Sequence, residues 1–187
     1  MDKLELRRQL KARRNAFTQA QQQKSSALVC GHILASEHYH NAQAILGYLA
    51  FGRELSVDAV LEQALKDGKK VYVPYITSDT EFQAVRLTDM VNFELDRYGI
   101  RSLKKVGEII NPANLDLVLV PAVAYAKDGN RLGMGAGYYD RFLLGCPKAT
   151  KLGLAYEALL QEYLPTDAYD IPIGYLVTES GIINTRL

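Results

Sequence analysis

The sequence predicts an α/β fold, a three-layer domain spanning residues 1–187 in which a mainly parallel sheet is flanked by helices on both faces. Short apolar runs alternate with segments of helical periodicity along most of the chain, the order expected of strands joined by crossover helices. The clearest run, LDLVLV over 115–120, is apolar at consecutive positions rather than every second one, as in a strand buried on both faces. No linker, repeat or low-complexity stretch interrupts the pattern, and 187 residues suit a single domain with a sizeable core.

Residues Lys3 to Ala16 contain no Gly or Pro and place Leu6, Leu10 and Phe17 at helical spacing. Thr18-Gln-Ala-Gln21 has the form of a capping box, so a second helix is expected over 19–36, with Ala27, Leu28, Ile33 and Leu34 turned inward. Ala42 to Ala50 reads as a buried strand. Ser56 is expected to cap a helix that carries Val57, Val60, Leu61 and Leu65 and closes at Gly68. Val71 to Tyr75 reads as a strand stopped around Pro74, and Phe82 to Leu87 as a half-exposed one. Residues 88–114 give no regular pattern. Beyond the 115–120 strand, 126–137 reads as loop, 138–144 as the opening of a helix and 151–156 as a short strand. Val177-Thr178 and Ile182-Ile183 form a terminal hairpin around Ser180-Gly181.

A formal net charge of +1 supplies no whole-chain field toward nucleic acid or membrane, so an anion site must come from local clustering. No apolar run approaches the ~18 residues of a membrane span. Charge begins at residue 2 with no apolar signal core, and the two cysteines, Cys30 and Cys146, make no disulfide framework. A cytoplasmic, monomeric chain with reduced thiols, no nucleic-acid partner and no membrane partner is expected.

Gly129, Gly133, Gly135 and Gly137 lie between a buried strand and a helix. Glycines let backbone amides approach an anion closely, and a helix start adds unsatisfied N–H groups; together these favour phosphate. Arg131 and Arg141 flank the loop, and Asp140 is a carboxylate suited to Mg²⁺ beside phosphates. The alternative is a loop whose glycines only make turns. Walker A chemistry does not fit, because Gly68-Lys69 is followed by Lys70. The dinucleotide fingerprint would need glycine where Tyr138 stands, although Glu157 could imitate its acidic ribose ligand, which keeps a nicotinamide-dinucleotide oxidoreductase as second reading. Lys3, Arg7, Lys11 and Arg14 recur at spacings of three and four and form one cationic stripe on the first helix. By itself that is a solvated face, or a contact for a noncatalytic nucleotide- or RNA-binding module. Arg8 and Arg13 point elsewhere. Glu54, after the first strand, reads by itself as an exposed acid near a helix start, Asp170 as a turn cap, and His32, His38 and His40 as surface residues.

The segment Val120-Pro-Ala-Val-Ala-Tyr-Ala-Lys-Asp-Gly-Asn-Arg-Leu-Gly-Met-Gly-Ala-Gly-Tyr-Tyr-Asp-Arg141 resembles the signature of the 5-formyltetrahydrofolate cyclo-ligase family. The resemblance implies an enzyme that uses Mg²⁺ and ATP to turn a small-molecule substrate, 5-formyltetrahydrofolate, into the 5,10-methenyl form. It implies ATP contacts at Lys3, Arg7, Arg131, Gly133, Met134, Gly135, Ala136, Gly137, Tyr138 and Tyr139, with Arg131 and Tyr139 acting in catalysis. It implies folate contacts at Leu49, Glu54, Met134, Gly135, Ala136, Gly137 and Tyr138, and metal contacts at Asp140 and Asp170. Leu164-Pro165, Asp170-Ile-Pro-Ile173 and Leu176-Val-Thr-Glu179 are similar to the family too. Ala126, Leu159, Tyr169, Gly174 and Ser102-Leu103 depart from its commoner residues.

Overall fold

A computed structural model of the chain describes residues 2–95 and 99–186. In chain order the elements are α1 (Lys3–Asn15), α2 (Gln19–Leu34), α3 (Glu37–Asn41), β1 (Ala44–Leu46), α4 (Asp58–Lys66), β2 (Lys70–Ile76), β3 (Phe82–Leu87), β4 (Phe93–Leu95), β5 (Arg101–Leu103), β6 (Leu117–Val120), β7 (Ala124–Tyr125), β8 (Arg131–Leu132), α5 (Tyr138–Leu144), β9 (Thr150–Leu154), β10 (Tyr175–Thr178) and β11 (Gly181–Asn184). Seven strands form the main sheet in the order β11-β10-β9-β6-β1-β2-β3. The five central strands are parallel, and β3 and β11 pair antiparallel at the two edges.

The three layers follow from alternation along the strands. Ile45, Val71, Val73, Leu117 and Leu119 face the side covered by α2, α3 and α4, where they meet Val29, Ile33, Val60 and Leu61. Their neighbours Leu46, Tyr72, Val118 and Val120 face the opposite side, where they meet Leu143 and Cys146 at the end of α5. Each central strand is thus buried on both faces, which is why its sequence reads as an uninterrupted apolar run. A smaller cluster of Leu10, Val123, Ala124, Ala126, Leu132 and Leu164 fastens α1 to the β7–β8 hairpin.

The capping box at Thr18 is present in both directions, Thr18 accepting from the Gln21 amide and Gln21 from the Thr18 amide. The inward face of α2 differs from the expectation. Ser26, Val29, Cys30 and Ile33 are the buried positions, while Ala27 and Leu28 are exposed and Leu34 only packs at the margin. Ser26 belongs to the buried stripe because its hydroxyl accepts the Ser56 backbone N–H, a partner no local pattern reveals. Ser56 is not the N-cap of α4; Val57 holds that position without a side-chain cap, and the Ser56 hydroxyl accepts from the Asp58 amide at 3.3 Å. Pro74 does not stop its strand. β2 runs on to Ile76, and Pro74 sits opposite Ala84, whose carbonyl turns away to accept from the Ile110 amide. The register with β1 ends at Tyr72, so the missing proline donor falls where no neighbour needs it.

α3, the β4–β5 hairpin and the β7–β8 hairpin were not legible in the sequence. β8 lies inside the stretch expected as loop. Two of the three histidines are partly buried against partners, while His40 is exposed: His32 meets the Glu179 carbonyl at 2.9 Å, and the His38 ring packs on Tyr175. Both cysteines are free and buried. No helix among the described residues is long and apolar enough to cross a membrane.

Candidate active site

β1 is the point from which the chain builds the sheet in both directions, to β2 on one side and to β6, β9 and β10 on the other. In open parallel sheets the crevice at the carboxyl ends of the strands beside such a point is where ligands bind. A cavity of about 690 Å³ occupies that place. Its floor carries Glu54 after β1, Pro74 and Ile76 from β2, and Pro121 and Ala122 after β6. Its walls are residues 131–141, Lys3 and Arg7 of α1, and residues 167–171.

The glycine segment is the inner wall. Gly135 has φ +110° and Gly137 has φ +68°, both in the region that L side chains avoid. Gly135 also lies against the Arg7 guanidinium, 3.6 Å from where a Cβ would stand. Gly137 is the N-cap of α5, which has no side-chain cap. The turn between β2 and β3 holds this wall from outside: the Tyr138 hydroxyl donates to the Ser78 carbonyl at 3.0 Å and Arg141 Nε to the Thr80 carbonyl at 2.8 Å. A second Arg141 nitrogen donates to the Ala136 carbonyl. Arg141 therefore braces the loop while its side chain also lines the cavity.

Arg131 lines the cavity, yet its side chain is only 4% exposed. It donates to the Asp140 carboxylate and, at 2.6 Å, to the Ile171 carbonyl. Asp140 also accepts from the Ile171 amide at 3.2 Å, on the same Oδ1 that meets Arg131. The arginine and aspartate thus tie β8, α5 and the 167–171 segment into one corner.

Two members of the cationic stripe of α1, Lys3 and Arg7, face this corner. Arg7 Nε donates to the Gly133 carbonyl at 2.7 Å. Lys3 Nζ lies 2.6 Å from Asp167 and 2.5 Å from Asp170. Burial works against the charged amine of Lys3, but its bonds to Asp167 and Asp170 prevail and raise its pKa above the ordinary lysine value. For Asp170 desolvation acts upward, and the bonds it accepts from Lys3 and from the Asp167 amide outweigh it, holding the carboxyl below its usual range. Arg14, the last member of the stripe, is 5% exposed and buried behind Glu54.

Glu54 presents a half-buried carboxylate to the cavity, with Oε2 accepting from the Phe51 amide at 3.0 Å. The Gln22 amide nitrogen and the Tyr156 hydroxyl pin the same turn through the carbonyls of Glu54 and Arg53. The Tyr139 hydroxyl is enclosed and has no hydrogen-bond partner among the described residues. Burial, then the charge of Glu54, push its pKa far above the ordinary phenol value, so Tyr139 is a neutral donor. Leu49 stands apart from the cavity lining and packs at the margin of the core. The structure therefore gathers Lys3, Arg7, Glu54, Arg131, the run from Gly133 to Asp140, and Asp170 around one enclosure.

Known proteins resemble this chain over most of its length. Residues 1–179 match the 5-formyltetrahydrofolate cyclo-ligase family. The chain belongs to that family. The 5-formyltetrahydrofolate cyclo-ligase of Escherichia coli K12 is 31% identical over 178 residues, covering 92% of this chain and 98% of the relative. The enzyme of the same name from Mus musculus is 28% identical over 188 residues, covering 94% and 93%. The solved structure of Aquifex aeolicus 5,10-methenyltetrahydrofolate synthetase superposes with a TM-score of 0.87 at 30% identity, covering 100% of this chain and 94% of that one.

Ala126 and Leu159 are buried in apolar clusters, where a carboxylate or amide would need a partner of its own. Tyr169 is 87% exposed at the rim of the cavity. Glu157, the candidate ribose ligand of the dinucleotide reading, lies outside the cavity and accepts from the Ser180 hydroxyl. Asp167 escaped the sequence reading. The signal available was its spacing of three from Asp170 across a turn, which lets two carboxylates share one lysine.

Proposed function

We propose that this chain is an ATP-dependent cyclo-ligase that converts 5-formyltetrahydrofolate to 5,10-methenyltetrahydrofolate, releasing ADP and phosphate. The observation that carries the reading is a single cavity lined by two chemically different sets of groups. One set is Lys3 and Arg7 with the glycine backbone of Gly133–Gly137; the other is the Glu54 carboxylate with the apolar Pro121 and Ala122. The first suits a triphosphate, and the second suits the amino-pyrimidine edge of a pterin, which a carboxylate can meet with paired hydrogen bonds.

In the proposed reaction the formyl oxygen attacks the terminal phosphorus of ATP and ADP leaves. The oxygen, otherwise a poor leaving group, is now part of a phosphate ester of an iminium-like carbon. N10 attacks that carbon and gives up its proton, phosphate departs with the oxygen, and the five-membered ring closes. The protein contributes no nucleophile; positioning and offset of charge are its work. Arg7 and Lys3 face the phosphates, and Lys3 exchanges an aspartate for a phosphate oxygen when nucleotide arrives. The Tyr139 hydroxyl, without a hydrogen-bond partner among the described residues, is a neutral donor left for the bound substrates. Arg131 holds the corner in register by its bonds to Asp140 and Ile171.

Asp140 and Asp170 suit a Mg²⁺ that arrives on the nucleotide. Each binds its protein donors through one oxygen, Oδ1 of Asp140 and Oδ2 of Asp170, and both line the cavity. Mg²⁺ typically takes one or two carboxylates beside substrate phosphates, where it offsets the charge of the transferring group.

The test is to mix the protein with 5-formyltetrahydrofolate, ATP and Mg²⁺ and follow the near-ultraviolet absorbance of the methenyl product. ATP-dependent growth of that band is expected. No product from folded protein, or tight binding of a reduced nicotinamide with none of ATP, overturns the reading.

A further inference from the structure

We infer that Arg14 is a positioning residue for folate recognition, acting through Glu54 without touching either substrate; the inference rests on the reading of Glu54 as the pterin contact. Arg14 lies in the last turn of α1, and only 5% of the residue is exposed. A guanidinium so enclosed needs compensation from the groups around it. Its Nη1 donates to the Ala122 carbonyl at 3.3 Å and stands 3.8 Å from Glu54 Oε1. Its Nε is buried with no partner among the described residues. An arginine satisfied this thinly is poorly explained by the stability of the fold alone. It is explained by the carboxylate in front of it.

Glu54 stands between two spaces. It lines the large cavity, and it lines a second, much smaller one that Arg14 also borders; Arg14 does not line the large cavity. The guanidinium is therefore behind the carboxylate and the substrate space is in front. The two oxygens of Glu54 are differentiated: Oε2 accepts from the Phe51 amide, and Oε1 faces Arg14. A backbone donor and a fixed cation on opposite oxygens set the plane of the carboxylate. A paired interaction with a ligand edge depends on that plane, because both bonds must form together. Three tyrosines around the carboxylate, Tyr48, Tyr139 and Tyr156, all have raised pKa values and so stay neutral. Arg14 is the cation within ion-pair distance of Glu54 among the described residues.

The experiment compares Glu54→Gln, Arg14→Met, Arg14→Lys and the double variant Arg14→Met/Glu54→Gln in steady-state assays with folate and ATP varied separately. A charge-assisted contact is worth about tenfold in affinity, so Arg14→Met is expected to raise KM for the folate about tenfold. KM for ATP and kcat are expected to stay within about threefold of the parent, well under the effect of one lost charged bond. Arg14→Lys keeps the charge and loses the fork, and should recover part of the folate KM. The double variant should be no worse than Glu54→Gln alone, since the arginine acts only through the carboxylate. If Arg14→Met does not fold, Arg14→Lys decides: a rise in folate KM with ATP KM unchanged supports the inference, and equal changes in both, or none, overturn it. A folate KM that responds to Glu54→Gln but not to either Arg14 variant also overturns it, leaving the role of Glu54 intact. A folate KM indifferent to Glu54→Gln means that the underlying reading has failed.

Discussion

Replacing Arg131 with methionine tests the corner on which the cavity is built. The side chain is nearly fully enclosed, and it serves two acceptors, the Asp140 carboxylate and the Ile171 carbonyl. Removing one partner of a buried ion pair typically costs ~3–5 kcal/mol, because the other charge stays behind. Asp140 is 26% exposed and keeps the Ile171 amide as donor, so its stranded carboxylate regains some hydration. That places the carboxylate's share near or below the lower bound, ~2–3 kcal/mol, and the lost bond to Ile171 adds ~1 kcal/mol. The sum is ~3–4 kcal/mol, or a fall in melting temperature of roughly 10 °C for a chain of this size. Urea denaturation of the parent, Arg131→Met, Asp140→Asn and the double variant measures it directly. The cycle should return a coupling of ~2 kcal/mol, since each single change strands the other member. A stability loss below ~0.5 kcal/mol in Arg131→Met, or an additive cycle, would refute the claim that the two side chains hold the corner together.

Three further outcomes follow from the same geometry. The stability difference between the parent and Asp170→Asn should be constant from about pH 5 to 9. It should shrink as pH falls below the ordinary aspartate value of ~3.9 and vanish once pH has passed the lowered folded value, and it should shrink above ~10.5, because a raised lysine stabilises only while charged; denaturation at several pH values checks both limits. Burial pushes the thiols of Cys30 and Cys146 up to about 11, so at pH 8 roughly one thiolate in a thousand is present. Iodoacetamide should leave both untouched in the native protein and label both after denaturation, as read by intact mass. Gly137→Ala places a Cβ at φ +68° and 3.0 Å from Arg141 Nη1, and should cost ~1–2 kcal/mol while raising KM for ATP more than KM for folate.

Features governed by near neighbours were legible in the sequence. The reciprocal cap at Thr18 and the extent of α5 depend on residues three or four apart, and both appear where the pattern put them. The burial of both sheet faces was legible in LDLVLV because a strand covered on two sides cannot alternate. The phase of α2 was not legible, because Ser26 is buried to serve an amide 30 residues away. Pro74 looked like a stop because a proline is harmless in a strand only where its ladder position lacks a neighbour, and that is set by the length of β1. In the site, the glycine run and the stripe on α1 were visible as composition and spacing. What they meet was not. Arg131 is spent on a carboxylate nine residues on and a carbonyl 40 residues on, and Lys3 on a pair of aspartates more than 160 residues away. Such pairings are products of the fold, and single-residue chemistry does not announce them.

A structure of the protein co-crystallised with 5-formyltetrahydrofolate and a non-hydrolysable ATP analogue tests the central claim most directly. The account predicts both molecules in the cavity at the carboxyl ends of β1, β2 and β6, with the phosphates against Gly133–Gly137 and the pterin edge at Glu54. Either molecule bound outside that cavity, or the two bound with their ends exchanged, would contradict it.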